Sequence, residues 1–187
     1  EHNILNALAA LAVADRNGVS LEAAAEKLRE FGGFKNRQQV YEAAGVTIID
    51  DTYNASPDSM KAGIKVLSSF EKSRRRVAVL ADMKELGPDA GLFHRQVGEF
   101  LAGEQVDALI TLGELAEQIE EGARLRRPSL FAASFRDKEE MTRFLEEFLK
   151  PGDCVLFKGS NSMKLGETAL YFTNKGKEQA ESAQARG

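Results

Sequence analysis

Three short polar runs carry the side chains of this sequence that could do chemistry. The first is Asp50-Asp51-Thr52-Tyr53-Asn54-Ala55-Ser56-Pro57-Asp58-Ser59. Two carboxylates close an apolar stretch, a polar loop follows, and a proline opens a helical pattern. A helix that starts at such a loop presents unpaired backbone N–H groups and a partial positive charge, which suit an anionic ligand. Asp51 stands where acidic residues at strand ends accept hydrogen bonds from a ribose diol. Asp50, Asp51 and Asp58 can equally cap backbone groups and do nothing more. The second run, Asp82-Met83-Lys84-Glu85-Leu86-Gly87, puts two acids on the loop after the next apolar stretch. That pair suits acid–base work or a metal, or else a turn with a capping acid. The third run, Lys158-Gly159-Ser160-Asn161-Ser162, offers a cation, a flexible turn and two hydroxyls. It fits a carboxylate or phosphate, and it also fits an ordinary strand-to-helix turn.

These runs need a scaffold, and the apolar pattern supplies one. Residues 38–43 and 46–50 read as two short strands about a turn at Ala44-Gly45. A helix is expected over 57–70, with Ser56 as N-cap and Pro57 in the first turn. Strands at 77–80, 108–112, 130–132 and 154–157 then alternate with helices at 91–101, 114–123, 138–149 and 162–171. Continuous apolar strands between amphipathic helices predict an α/β fold, a mostly parallel sheet covered on both faces, with the opening hairpin adding an antiparallel strand. Ligands of such sheets gather outside the carboxyl ends of the strands. The three runs, with Gly113, fall at those ends and so on one rim. Two helices precede the sheet. Residues 3–14 are apolar nearly all round and read as a buried helix. Ser20 is the expected N-cap of a second helix ending at Phe31-Gly32-Gly33. The polar stretch 174–187 is expected to be a disordered tail.

Composition narrows the function classes. The chain has 187 residues and a net charge of -4, which argues against nucleic-acid binding. The basic cluster Arg74-Arg75-Arg76 reads as the solvated entrance of a strand. The single cysteine, Cys154, lies in an apolar run and reads as a buried structural thiol. Two distant histidines, His2 and His94, give no zinc spacing, so no metal site is expected. No stretch is apolar enough to span a membrane and no signal peptide is seen, so the cytoplasm is the expected compartment. A monomer is the expected state. Three signatures are missing: the phosphate-binding P-loop, the dinucleotide G-x-G-x-x-G and the G-x-S-x-G elbow.

Four motifs in this order resemble the Mur ligase family. His2-Asn3-Ile4-Leu5-Asn6-Ala7-Leu8-Ala9-Ala10 is similar to the H-N-x-x-N-A-x-A-A helix near the end of that family's ATPase domain. Asp50 to Met60 looks like D-D-S-Y-N-A-N-P-x-S-M. Residues 80–87, with His94 and Gly98, resemble L-G-D-M-x-E-L-G followed by H-x-x-x-G, and Lys158-Gly159-Ser160 resembles K-G-S. The resemblance is strongest to the branch that adds D-alanyl-D-alanine to UDP-MurNAc-tripeptide. It implies a two-helix remnant of a central ATPase domain over 1–33 and a Rossmann-like carboxy-terminal domain with a mixed six-stranded sheet over 34–173. It implies ATP and Mg2+ as cofactors of the full-length enzyme, with none expected bound to this fragment, which should be inactive alone. UDP-MurNAc-tripeptide would be held by domains absent here.

The resemblance also implies roles. His2, Asn3 and Asn6 would lie at the adenine, Arg37 would reach the ATP phosphates, and Asp51 would hold the ribose. Tyr53, Asn54, Ser56, Asp58 and Ser59 would line the crevice near the γ-phosphate and dipeptide, with Lys158, Gly159 and Ser160 as its other wall. Ser56, Ala81, Asn161, Leu165 and Gly166 depart from the branch pattern. The changes after Ser160 bear on how the dipeptide is read. The alternatives are the equivalent domain of a folylpolyglutamate synthase-like ligase, a free-standing nucleotide- or anion-binding module, and a structural domain whose rim only caps backbone.

Overall fold

The structure, a computed structural model, describes residues 2–30 and 34–184, with side chains at 4–30 and 34–176. It divides into two compact units, Glu1–Phe34 and Lys35–Gly187.

The first unit consists of helices α1 (His2–Arg16) and α2 (Leu21–Glu30). Ser20 caps α2 by accepting a hydrogen bond from the Ala23 N–H. Ala7, Leu11 and Ala14 on α1 are half-buried, as are Ala24, Ala25 and Leu28 on α2. The rest of the apolar surface stays open: Ile4 is 63% exposed and Leu5 67%. Within this unit α2 covers only one stripe of α1, so most of the apolar surface of the helix expected to be buried is left uncovered by its partner. The expected end of α2, at Phe31-Gly32-Gly33, lies outside the described residues.

The second unit is a six-stranded sheet in the order β1-β2-β6-β3-β4-β5. Strands β1 (Gln39–Ala43) and β2 (Val46–Asp51) form the antiparallel hairpin. Strands β3 (Arg76–Ala81), β4 (Ala108–Leu112), β5 (Phe131–Phe135) and β6 (Cys154–Lys158) run parallel to β2. Alternate residues face opposite sides of a strand, and two cores result. Ile49, Ala78, Leu80, Leu109 and Leu156 pack with α3 (Pro57–Ser68), α4 (Ala90–Ala102) and α5 (Glu117–Arg126). Ile48, Val77, Val79, Ile110, Val155 and Phe157 pack with α6 (Lys138–Phe148) and α7 (Leu165–Gln184). The α/β fold expected from the alternation is the one observed.

Several boundaries differ from the sequence expectation, among them the start of α7, which follows a 3-10 turn at Asn161–Met163 and begins at Leu165 rather than 162. Strand β5 extends to Phe135, its outer residues half-exposed at the sheet edge. Helix α5 starts at Glu117 because Ala116 still belongs to a turn, its N–H held by Asp82. The stretch expected to fray from Asn174 onward instead continues α7 to Gln184. Thr173 is 4% exposed, and Lys175 pairs with Glu146 of α6, so this turn is anchored. The residues beyond it favour helix by propensity.

Strand β6 sits between β2 and β3, and its position fixes the functional geometry. The chain leaves β2 and β3 for helices on one face, and leaves β6 for α7 on the other. Neighbouring strands whose connections diverge in this way open a crevice at their carboxyl ends. The first and third polar runs flank that crevice.

Candidate functional site

The two acids closing β2 face opposite sides of the sheet and have separate tasks. Asp50 turns toward the α7 side. Its Oδ1 accepts from the Thr52 N–H at 3.1 Å and the Thr52 hydroxyl at 2.7 Å, and its Oδ2 accepts from Asn36 Nδ2 at 2.8 Å. Burial holds its carboxyl above the usual carboxylate range, while these hydrogen bonds pull the other way. Asp50 therefore organises backbone, as the capping alternative has it. Asp51 turns toward α3 and is paired across the strand with Lys158. Its Oδ2 accepts from Lys158 Nζ at 2.8 Å, and Lys158 is 2% exposed. The same ammonium donates to the Asn54 carbonyl at 3.1 Å. The cation expected on the crevice wall is thus turned inward, onto the β2–α3 loop.

Asn36 ties a further segment to this loop. Its side chain reaches Asp50 and Thr52, and its carbonyl accepts from the Tyr53 N–H at 2.9 Å. Asn36 and Gln38 have φ of 60° and 49°, so Arg37 lies between two residues in the left-handed region. Asn accepts that conformation readily; Gln does so only under constraint. The Arg37 guanidinium, exposed, stacks over the Tyr53 ring at 4.2 Å from its centroid. Both side chains remain open to a ligand.

Helix α3 begins as expected. Ser56 is its N-cap and Pro57 stands in the first turn. The Ser59 hydroxyl accepts from the Ser56 N–H at 2.9 Å while the Ser56 side chain accepts from the Ser59 N–H at 3.4 Å, a reciprocal capping box. Asn54 Oδ1 accepts from the Ala55 N–H at 2.8 Å. Asn54, Ser56 and Asp58 are exposed, and Ser59 is half-buried.

The loop after β3 is held from three sides. The Asp82 carboxylate, 3% exposed, accepts from the Ala116 N–H and from Lys84 Nζ, each at 2.8 Å. Gly113 adopts a φ of +115°, and a Cβ there would fall 2.3 Å from Asp82 Oδ1. The Ser160 hydroxyl accepts from the Lys84 N–H at 2.8 Å, and the Ser160 N–H donates to the Asp82 carbonyl at 3.0 Å. The second and third runs are thereby stitched together. Both oxygens of the Asp50 and Asp82 carboxylates are committed to donors, Asp51 Oδ2 is held by the Lys158 ammonium, and no group of three His, Cys, Asp or Glu able to hold a metal occurs among the described residues. A divalent cation does not fit these acids.

His94 on α4 completes the support. Its Nε2 accepts from the Met83 N–H at 2.9 Å, which leaves the proton on Nδ1 to donate to the Ala90 carbonyl at 2.6 Å. Burial pushes the imidazole below its ordinary value; the Ala90 hydrogen bond opposes this only in part. The folded state keeps the ring neutral, so the unfolded chain takes up a proton first as pH falls. Stability from this group is complete above the unfolded pKa of about 6.5 and declines as pH drops through it toward the folded value, by at most about 1.4 kcal/mol per pH unit. Urea unfolding at pH 7.5, 6.5 and 5.5 should show this slope, and His94→Gln, which can still accept from Met83, should lack it. Equal slopes in both proteins would contradict the assignment.

Of the residues singled out in the sequence, the fold places Arg37, Asp51, Tyr53 and Asn54 in one linked segment. Lys158 connects it to the Gly159–Ser160 turn and the loop after β3. Gly159 and Ser160 are buried. Asn6 is exposed on α1 within its own unit, and the side chains of His2 and Asn3 lie outside the described residues. Sequence reasoning missed Asn36 and Thr52 as the partners of Asp50, and Lys84 as the partner of Asp82. Strand alternation would have separated Asp50 from Asp51; the Asn36 contact spans a hairpin and leaves no local signal. Cys154 is buried and its thiol is pushed up to about 12, chiefly by burial, which suits a structural role. Arg75 and Arg76 of the basic cluster pair with Asp153 and Asp107, at the opposite end of the sheet from the rim.

A family model described as Mur ligase, glutamate ligase domain, matches residues 36–161. The chain is 35% identical over 168 residues to the UDP-N-acetylmuramoyl-tripeptide--D-alanyl-D-alanine ligase of Bacillus subtilis (strain 168), covering 89% of this chain and 37% of that protein. Among solved structures it is similar to MurF from Acinetobacter baumannii, with a TM-score of 0.82, 33% identity, and coverage of 94% of this chain and 38% of the other. It is also similar to MurF ligase from Thermotoga maritima in complex with ADP, with a TM-score of 0.73, 29% identity, and coverage of 90% and 37%. The chain thus spans little more than a third of the length of these relatives.

Proposed function

The chain belongs to the Mur ligase family, and on that premise we propose that it is the carboxy-terminal domain of an ATP-dependent ligase joining D-alanyl-D-alanine to UDP-MurNAc-tripeptide. The observation that carries this reading is the convergence of the three polar runs at the carboxyl end of β6, where the divergent connections open a crevice. In such a ligase the tripeptide carboxylate attacks the γ-phosphorus and ADP leaves; the dipeptide amine then attacks the acyl phosphate and phosphate leaves. This domain's part is to bind and orient. Arg37, exposed and stacked on Tyr53, presents a planar fork to phosphate oxygens. Asp51 accepts from the ribose hydroxyls. Tyr53, Asn54, Ser56, Asp58 and Ser59 line one side of the crevice and Gly159 and Ser160 the other, while His2, Asn3 and Asn6 serve the adenine. Mg2+ would neutralise phosphate charge on groups outside this rim. Without a P-loop, the chain alone is inactive. No helix among the described residues is long and apolar enough to cross a membrane, and the reading assigns the protein to the cytoplasm as a monomer.

Dipeptide binding by this chain alone should be weak, because two or three hydrogen bonds netting about 0.5–1.5 kcal/mol each barely exceed the cost of association. NMR titration with D-alanyl-D-alanine should give saturable shifts at Asn54, Ser59, Gly159 and Ser160 in the millimolar range, on the order of 1 mM or weaker. Shifts away from that rim would mean that the domain closes the site without reading the dipeptide.

A further inference from the structure

We propose that Lys158 is a positioning residue. It touches no substrate, and it fixes the Asp51 carboxylate and the Asn54 carbonyl where the β2–α3 loop receives the nucleotide. The inference rests on the reading of Asp51 as the ribose acceptor.

Three observations carry it. The ammonium is directed wholly at that loop: it lies 2.8 Å from Asp51 Oδ2, 3.1 Å from the Asn54 carbonyl and 3.5 Å from the Asp51 carbonyl. An ammonium has three protons to donate, so this arrangement leaves none for a ligand. The pair is also built into the sheet, since Asp51 and Lys158 are register partners on β2 and β6. Finally, α3 makes room for the lysine stem. Gly63 is buried in mid-helix, and a Cβ there would stand 3.0 Å from Lys158 Cδ. A helix-interior glycine is unfavourable relative to alanine, and this one keeps the passage open.

Electrostatics gives the arrangement its purpose. An isolated carboxylate beside a nucleotide would repel the phosphates, whereas Asp51 paired with Lys158 accepts hydrogen bonds from hydroxyls without presenting net charge. A lysine that instead swung out to bind the dipeptide carboxylate would leave Asp51, 8% exposed, without its cation. Abandoning a buried partner is strongly unfavourable.

The test uses the full-length ligase and compares ATP with 2′-deoxy-ATP at saturating dipeptide. If Asp51 accepts from the 2′-hydroxyl, the wild type should prefer ATP by about tenfold or more in kcat/KM. Lys158→Met keeps the stem and removes the charge, and it should reduce that preference to within about twofold. The ratio is taken on one sample and does not depend on how much of it is folded; Lys158→Gln serves in the same way if the methionine variant does not accumulate. A preference that survives in the variants overturns the proposal and leaves the ribose reading standing. A preference that survives while the dipeptide KM rises makes Lys158 a substrate ligand. A wild type that does not distinguish the two nucleotides removes the ribose reading itself.

Discussion

Arg75→Ala should destabilise the sheet domain by about 3–5 kcal/mol, the cost of leaving a buried charge without its partner. Asp153 is 0% exposed, and its Oδ1 accepts from Arg75 Nε at 3.0 Å while Oδ2 accepts from Arg75 Nη2 and from the Lys150 N–H. The guanidinium also donates to the Phe148 carbonyl at 2.7 Å and lies 4.5 Å over the Phe148 ring. This one side chain therefore joins the start of β3, the end of α6 and the start of β6. Asp153→Ala should cost less, about 2–3 kcal/mol, because Arg75 keeps 29% of its side-chain surface in water and can resolvate. Urea denaturation of both variants measures the asymmetry. Losses below about 1 kcal/mol, as for a solvated surface pair, would contradict it.

Arg37→Ala should have the opposite profile, with large effects on turnover and little on folding. Its guanidinium is exposed and stacked on Tyr53, and among the described residues it bonds no buried group, so its removal should shift stability by no more than about 0.5 kcal/mol. In the whole ligase a guanidinium that follows charge developing on the transferring phosphoryl group is worth about 100- to 1,000-fold in kcat. The ATP KM should change less than kcat, because ground-state phosphates make weaker use of the same donor. The strained segment around it supports this division: two left-handed residues flank Arg37, and Asn36 anchors the turn to Asp50 and Thr52. That is a costly way to present a side chain that does nothing.

The sheet was legible because buried parallel strands are short continuous apolar runs, and Val77 to Leu80 or Ala108 to Leu112 admit no other reading between amphipathic helices. The rim was legible for the same reason, since ligand-facing loops follow those runs directly. Strand order was not. Lys158 reads as a crevice donor until β6 is known to lie beside β2, where the register sets it against Asp51 and turns its ammonium inward. Helix α7 past Asn174 was missed because its anchor is tertiary: Lys175 meets Glu146 on another helix, and no local periodicity marks that contact. The exposure of α1 shows the converse, an apolar pattern that two helices alone cannot cover.

The central claim is that this chain is the orienting, non-catalysing part of a D-alanyl-D-alanine-adding ligase. Phosphate release from ATP tests it most directly, measured for the whole protein, for its Arg37→Ala variant and for residues 1–187 alone. Release is expected from the whole protein only when UDP-MurNAc-tripeptide and D-alanyl-D-alanine are both present, with a loss of about 100-fold or more in Arg37→Ala, and none from the chain by itself. Dipeptide-dependent release by residues 1–187 alone, or a whole protein indifferent to the dipeptide, would contradict it.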